Sequence, residues 1–306
     1  MRAIVVGAGV VGLTTAVCLR EAGVKADVVT RDAPQDTTSA VAAALWYPYR
    51  ALPVDRVTAW SAATYAWLAG LAGTDGSGVR MLPGTELMSA DAPDPWWRDA
   101  VPDLRRTTEG LRLTAPAVDM SVHLPWLAAR LLALGGTIER RTVESLDELA
   151  ADAVVNCAGL GARRLAGDDS LVAVRGQVVR VSAPGVSEWL LDQRDPQRLV
   201  YVVPRERDVV LGGTAQEGVE DRAPDAATTE AIHARCAELV PAVRDAPVVG
   251  VAVGLRPQRP SVRLQAEGRV VHCYGHGGAG VTLAWGCAVE VAALLGADPS
   301  RYAAPR

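Results

Sequence analysis

Val5-Val6-Gly7-Ala8-Gly9-Val10-Val11-Gly12 stands almost at the start of the chain. The apolar run at 3–6 reads as a buried parallel strand. The helix after the glycines runs from about 10 to 23, where a glycine suits its C-terminal cap, and 26–30 reads as a second strand. The unit is a compact βαβ, the context in which a GxGxxG spacing carries meaning. Gly7 permits the tight turn, Gly9 lets backbone approach a pyrophosphate, and Gly12 lets the helix pack on the strand. A helix N-terminus such as the one opened by this loop carries free N–H groups and partial positive charge, so it holds anions.

A second glycine-rich stretch lies near the other end: Tyr274-Gly275-His276-Gly277-Gly278-Ala279-Gly280-Val281-Thr282. It follows a short strand at 270–274 and opens a helix from about 281 to 295. So many glycines are entropically costly and imply close approach of a ligand. Two such loops can hold the two ends of one extended dinucleotide, with the pyrophosphate at the first and a redox ring at the second. That arrangement points to FAD rather than NAD. Arg31 supports the rival, since an arginine after the second strand can accept an NADP 2′-phosphate. A nicotinamide enzyme gives no reason for the second loop.

The 306 residues are 49% hydrophobic, ample for a large core in one or two domains. The charge is balanced, 35 acidic against 31 basic residues, with no long basic run, so nothing favours nucleic acid or an anionic membrane. No apolar run approaches the roughly 20 residues of a membrane span. Met1-Arg2 before an apolar stretch mimics a signal peptide, but the glycines argue for strand, turn and helix. Ala304-Pro305-Arg306 is not a peroxisomal address. The five cysteines form no CxxC pair and read as buried, reduced thiols, with no metal site expected and a cytoplasmic location. A homodimer is compatible with the sequence.

Between the loops, 126–134 reads as helix, 137–143 and 153–157 as strands, and 177–181, 199–203 and 208–211 as an antiparallel sheet. The expected fold class is α/β: a Rossmann-type dinucleotide domain (1–48, 126–170 and 250–306) interleaved with an α+β substrate domain (49–125 and 171–249) on a mostly antiparallel sheet.

Seven segments together resemble the D-amino-acid oxidase family: GAGVVGLTTA (7–16), TTSAVAAALWYPY (37–49), VESLDEL with DAVVNCAGLGA (143–162), RGQVVRV (175–181), YVVP with LGGT (201–214), GLRPQRPSVRL (254–264) and YGHGGAGVTLAWGCAVE (274–290). They follow family order over almost the whole chain, and the last two are the specific ones. The resemblance implies FAD, with Ala8, Gly9, Val10 and Val11 lining its pyrophosphate, Thr38, Ser39, Ala44 and Leu45 contacting it further along and the backbone of Val143 contacting adenine. Gly277, Gly280, Val281 and Thr282 would hold the flavin ring. Arg256 would bind the substrate carboxylate, helped by the Tyr201 hydroxyl, and the Gly278 carbonyl would accept from the amine. Departures are Arg31 with Asp32 where an acidic ribose ligand is usual, a shorter segment before Tyr201, Tyr47 in place of a glutamine and Ala158 in place of a threonine.

The implied reaction moves the α-hydrogen of a D-amino acid to the flavin as hydride, giving a 2-oxo acid, ammonia and, with oxygen, hydrogen peroxide. No acid–base dyad is needed, so orientation carries the burden. Arginine suits the anchor because it is always charged and can bind a carboxylate with two parallel hydrogen bonds. On the residues alone, Arg256 reads more readily as a surface ion pair and Tyr201 as a core aromatic, and it is the motif match that assigns them to the substrate. Ala215 follows LGGT where D-aspartate oxidases carry an arginine, so neutral side chains are expected, with Arg194 and Arg205 the remaining arginines that could meet an acidic one. His276 reads as a buried imidazole bonded to backbone. Trp46, Tyr47 and Tyr49 read as cavity wall or as core. A glycine- or sarcosine-type oxidase, a D-aspartate oxidase and a non-catalytic flavin-binding protein remain alternatives.

Overall fold

A computed structural model describes residues 1–89, 91–183, 185–195 and 197–298. The expected C-terminal tripeptide and the last residues of the expected dinucleotide domain lie outside them.

One sheet runs through the molecule. At one end lie five parallel strands in the order Ile138–Arg140, Lys25–Thr30, Arg2–Val6, Ala153–Asn156 and Val270–His276. The helices Val10–Glu21 and Gly280–Leu294 start from the glycine loops and pack against each other on this half. At the other end, Val172–Val181, Val209–Gly212, Val200–Pro204 and Trp189–Asp192 pair antiparallel, and Val79–Leu87 and Gly110–Val118 extend that half. The strand Val248–Glu267 joins the two: from Val248 to Gln258 it pairs with Val172–Val181, and from Gln258 to Glu267 with Val270–His276. A parallel dinucleotide half and a mostly antiparallel half are the expected architecture.

Several elements depart from the sequence expectation. The helix read at 126–134 runs over Met120–Ala133, because the Asp119 carboxylate accepts from the Ser121 N–H and starts it before Pro125. The strand read at 137–143 pairs only over Ile138–Arg140. The helices Val54–Leu71 and Ala226–Leu239 had no counterpart in the reading.

With no phenylalanine in the chain, tryptophan fills the core. Trp46 is fully buried and its Nε1 donates to Ser61 O at 2.9 Å, so the ring is packed without stranding its polar atom. Trp67 stacks on Trp285, 4.5 Å between centroids, where Val54–Leu71 crosses Gly280–Leu294. That crossing needs Gly286: a Cβ there would lie 2.3 Å from the Trp60 backbone. Among the described residues no helix is long and apolar enough to cross a membrane.

Candidate active site

A cavity of about 390 Å³ runs along the C-terminal ends of the parallel strands and over the antiparallel half. The first glycine loop forms one wall. Gly7 has φ +111°, and a Cβ on it would lie 2.5 Å from Cys157 O. A Cβ on Gly12 would lie 2.0 Å from Gly7 O, so helix and loop touch backbone to backbone. Gly9 caps the helix, and the Val10 N–H donates to Ser39 Oγ at 3.0 Å.

The second loop meets the first. A Cβ on Gly280 would touch Val10 and Val11, placing the two helix N-termini side by side. Gly277 has φ +54° and lies against the Gln258 side chain. Its N–H donates to Pro257 O at 2.9 Å, which ties the loop to the residue next to Arg256. Gly278 is exposed to the cavity, and among the described residues nothing hydrogen-bonds its carbonyl.

Arg256 projects from the long strand. Its Nη1 donates to Thr214 O at 2.8 Å, and its guanidinium lies over Gly176 of the neighbouring strand. No carboxylate pairs with it among the described residues. Beside it, Tyr201 lies flat on Gly212-Gly213, where a Cβ on Gly212 would sit 2.0 Å from its ring. Burial pushes the Tyr201 phenol up, and the neighbouring Arg256 pulls it down.

The expected residues therefore share one cavity. Gly7, Ala8, Gly9, Val10, Val11, Gly12, Arg31, Asp32, Thr38, Ser39, Ala44, Leu45, Val143, Tyr201, Arg256, Gly277, Gly278, Gly280 and Val281 all line it, and Thr282 does not. The Thr282 hydroxyl accepts from the Tyr47 N–H at 3.0 Å and donates to Tyr47 O at 2.9 Å, fixing the cavity-lining tyrosine behind the loop. Arg31 is engaged in a forked pair with Asp32 at 2.7 Å, which holds the Asp32 carboxyl below its usual range. The Val143 carbonyl already accepts from Arg164 Nη2 at 2.7 Å.

Arg205 and Arg194, the arginines left open for an acidic substrate, lie outside the cavity lining. Arg205 is buried against Asp208 and Asp119, and Arg194 forks onto Asp192. His276 is buried as expected, but among the described residues its Nε2 has no hydrogen-bond partner, contrary to the expected backbone bond, and burial lowers its pKa to about 4. All five cysteines are buried and unbridged. Cys157 is pushed well up by its neighbour Cys273 and by burial, the condition of inert thiols.

Sequence reasoning missed the seats of the anchors. Gly176 and Gly212-Gly213 had been quoted only within motifs, yet they are where Arg256 and Tyr201 lie. It also missed Gln193 and Glu86. Tyr47 Oη donates to Glu86 Oε1 at 2.6 Å, and Gln193 Nε2 donates to the same oxygen at 3.2 Å. Burial pushes the Glu86 carboxyl up, and these two donors counter it.

The glycine loops, two adjoining helix N-termini and a cavity reaching from Asp32 to Arg256 fit an extended dinucleotide carrying a redox ring. The family model described as FAD dependent oxidoreductase matches residues 2–294. The chain belongs to that FAD-dependent oxidoreductase family. Within the family it is 50% identical to a D-amino-acid oxidase of Rubrobacter xylanophilus, over 97% of this chain and 96% of the relative. It is 38% identical to the human D-aspartate oxidase, over 96% of this chain and 94% of that protein. Its fold is that of the glycine oxidase from Geobacillus kaustophilus, with a TM-score of 0.78 and 20% identity over 96% of this chain and 95% of that one. As a family member the protein is an FAD-dependent oxidoreductase, and the resemblance read from the seven segments holds.

Proposed function

We propose that the protein oxidatively deaminates neutral D-amino acids, giving the 2-oxo acid, ammonia and hydrogen peroxide. The observation that carries this reading is Arg256: a permanent cation on the cavity wall with no carboxylate partner among the described residues, beside the Tyr201 hydroxyl and against the exposed Gly278, on which a Cβ would lie 3.6 Å from Arg256 Cδ. A carboxylate in the fork of Arg256, an amine on Gly278 O and the α-hydrogen directed at the ring fix three points of a chiral carbon. The L-isomer would place its side chain where the hydrogen belongs.

When bound, FAD supplies the acceptor for the α-hydrogen and its electron pair. Gly7, Ala8, Gly9, Val10, Val11 and Gly12 would hold its pyrophosphate, and Gly277, Gly280, Val281 and Thr282 its ring. Thr38, Ser39, Ala44 and Leu45 would hold the stretch between, with Arg31, Asp32 and Val143 at the adenosine end. The protein's task is then orientation, with no side chain required as acid or base once the amine is neutral. In this reading, 1–48, 126–170 and 250–298 form the cofactor domain and 49–125 and 171–249 the substrate domain, in a cytoplasmic enzyme. Neutral side chains are favoured because Ala215 follows LGGT and because Arg194 and Arg205 are already paired away from the cavity.

The test is anaerobic addition of D-valine, L-valine, sarcosine and D-aspartate to the yellow protein. Bleaching by D-valine but not by the others is expected. Arg256→Ala should keep the flavin spectrum and lose about 10²-fold or more in kcat/KM, since removing one side of a buried charge pair costs about 2–5 kcal/mol. Turnover like that of the unaltered protein would remove Arg256 from the role of anchor.

A further inference from the structure

The register of the antiparallel half sets a row of residues beneath the substrate end of the cavity. Glu86 pairs with Leu191, Leu191 with Tyr201, and Tyr201 with Gly212. Partners in register project from the same face of a sheet, and neighbouring strands lie about 4.8 Å apart. Glu86 therefore stands two strands, about 10 Å, from Tyr201 on the face that carries Tyr201 and Arg256. Leu191 and Gln193 line the cavity in between.

Glu86 is a carboxylate with no arginine or lysine on it among the described residues. Its partners are neutral donors, Tyr47 Oη and Gln193 Nε2, both converging on Oε1. The anion only accepts, and both of these partners are donors. Tyr47 is itself held by Thr282, so the group is anchored to the cofactor loop. A substrate whose α-carboxylate rests on Arg256 and Tyr201 extends its side chain along this row, over Leu191 and toward Glu86.

We propose that Glu86 is a specificity-determining residue: its carboxylate, at the far end of the side-chain subsite, rejects D-amino acids with acidic side chains and accepts neutral and cationic ones. The cause is charge and not size. At such distances in a partly buried site, like charges repel strongly enough to decide between isosteres. The inference rests on D-amino acid oxidation by this same site.

The test compares near-isosteric substrates on the holoenzyme. D-Glutamine should exceed D-glutamate in kcat/KM by at least about 10²-fold, and D-lysine should not be penalised in that way against D-norleucine. Glu86→Gln keeps an acceptor for Tyr47 and Gln193 while removing the charge. It should raise kcat/KM for D-glutamate at least 10-fold, lower it for D-lysine, and leave D-valine within about 3-fold. A structural role alone would move all three the same way. Comparable use of D-glutamine and D-glutamate by the unaltered protein overturns the inference without any variant. An unchanged D-glutamate to D-lysine ratio in Glu86→Gln overturns it as well. If no D-amino acid bleaches the flavin, the proposed function itself falls.

Discussion

Replacing Gly176 with alanine adds one methyl group, and the structure says where it goes. The new Cβ would lie 2.4 Å from Arg256 Nη1 and 2.5 Å from both Cζ and Nη2. Ordinary contact begins near 3.5 Å, so the guanidinium must retreat by about 1 Å. Retreat breaks or stretches the 2.8 Å hydrogen bond from Nη1 to Thr214 O, the bond that aims the fork. Displacement of a positioning group by about 1 Å costs roughly 10²-fold in rate, or about 2.7 kcal/mol. Gly176 does not have a positive φ, so its backbone accepts alanine, and loss of chain freedom in the unfolded state would stabilise the variant slightly. Gly176→Ala should therefore bind FAD with unchanged affinity, melt no earlier, and lose about 10²-fold in kcat/KM with D-valine. Oxygen consumption gives the rate and visible absorbance the cofactor content. A kcat/KM within 3-fold of the unaltered protein would show that Arg256 is not aimed by the floor it lies on.

The remaining predictions concern the cofactor and the frame. Gly12→Ala would place its Cβ 2.0 Å from Gly7 O, where neither backbone can yield. The purified protein should be colourless and should fail to regain a flavin spectrum when FAD is added; full yellow occupancy would contradict the role of Gly12. Asp168 accepts from Arg259 Nε at 2.9 Å, Tyr274 Oη at 2.8 Å and Ser170 Oγ at 2.6 Å, and against the cost of burial these donors hold its carboxyl far below the usual range. A depressed carboxyl contributes stability that is complete above the ordinary value near 4 and is lost as pH falls toward its folded value. Asp168→Asn should cost about 2 kcal/mol at pH 7, with the difference in thermal unfolding narrowing below about pH 4. A gap that stays constant from pH 7 to pH 3 would refute the charge-based account.

The parts legible in the sequence are those whose signal is local. Gly7, Gly9 and Gly12 announce a βαβ turn because each meets a need within a few residues. The loop at 274–282 does the same for the closing helix. What was hidden depends on register. In Val79–Leu87, Glu86 reads as one more polar residue of an alternating strand, and only its pairing through Leu191 to Tyr201 carries it behind Tyr47 and Gln193 of the cavity wall. Gly176 is silent for the same reason, since its meaning comes from a diagonal neighbour on Val248–Glu267. The helix read from 126 begins at Met120, because a proline near the beginning of a helix costs one hydrogen bond without ending it when a cap such as Asp119 lies upstream. Thr282, expected at the flavin, also sets its hydroxyl on the Tyr47 backbone, a contact between segments far apart in the chain.

The strand shared by both halves of the sheet sets a rule for insertions and deletions. One extra residue between Val251 and Leu255 would turn Arg256 to the opposite face, since side chains alternate with period two. It would also carry Pro257 out of step with the Gly277 N–H. Loops can lengthen without this penalty. On this scaffold, new substrates are therefore reached by exchanging side chains on the flanking strands, while the length of the shared strand stays fixed.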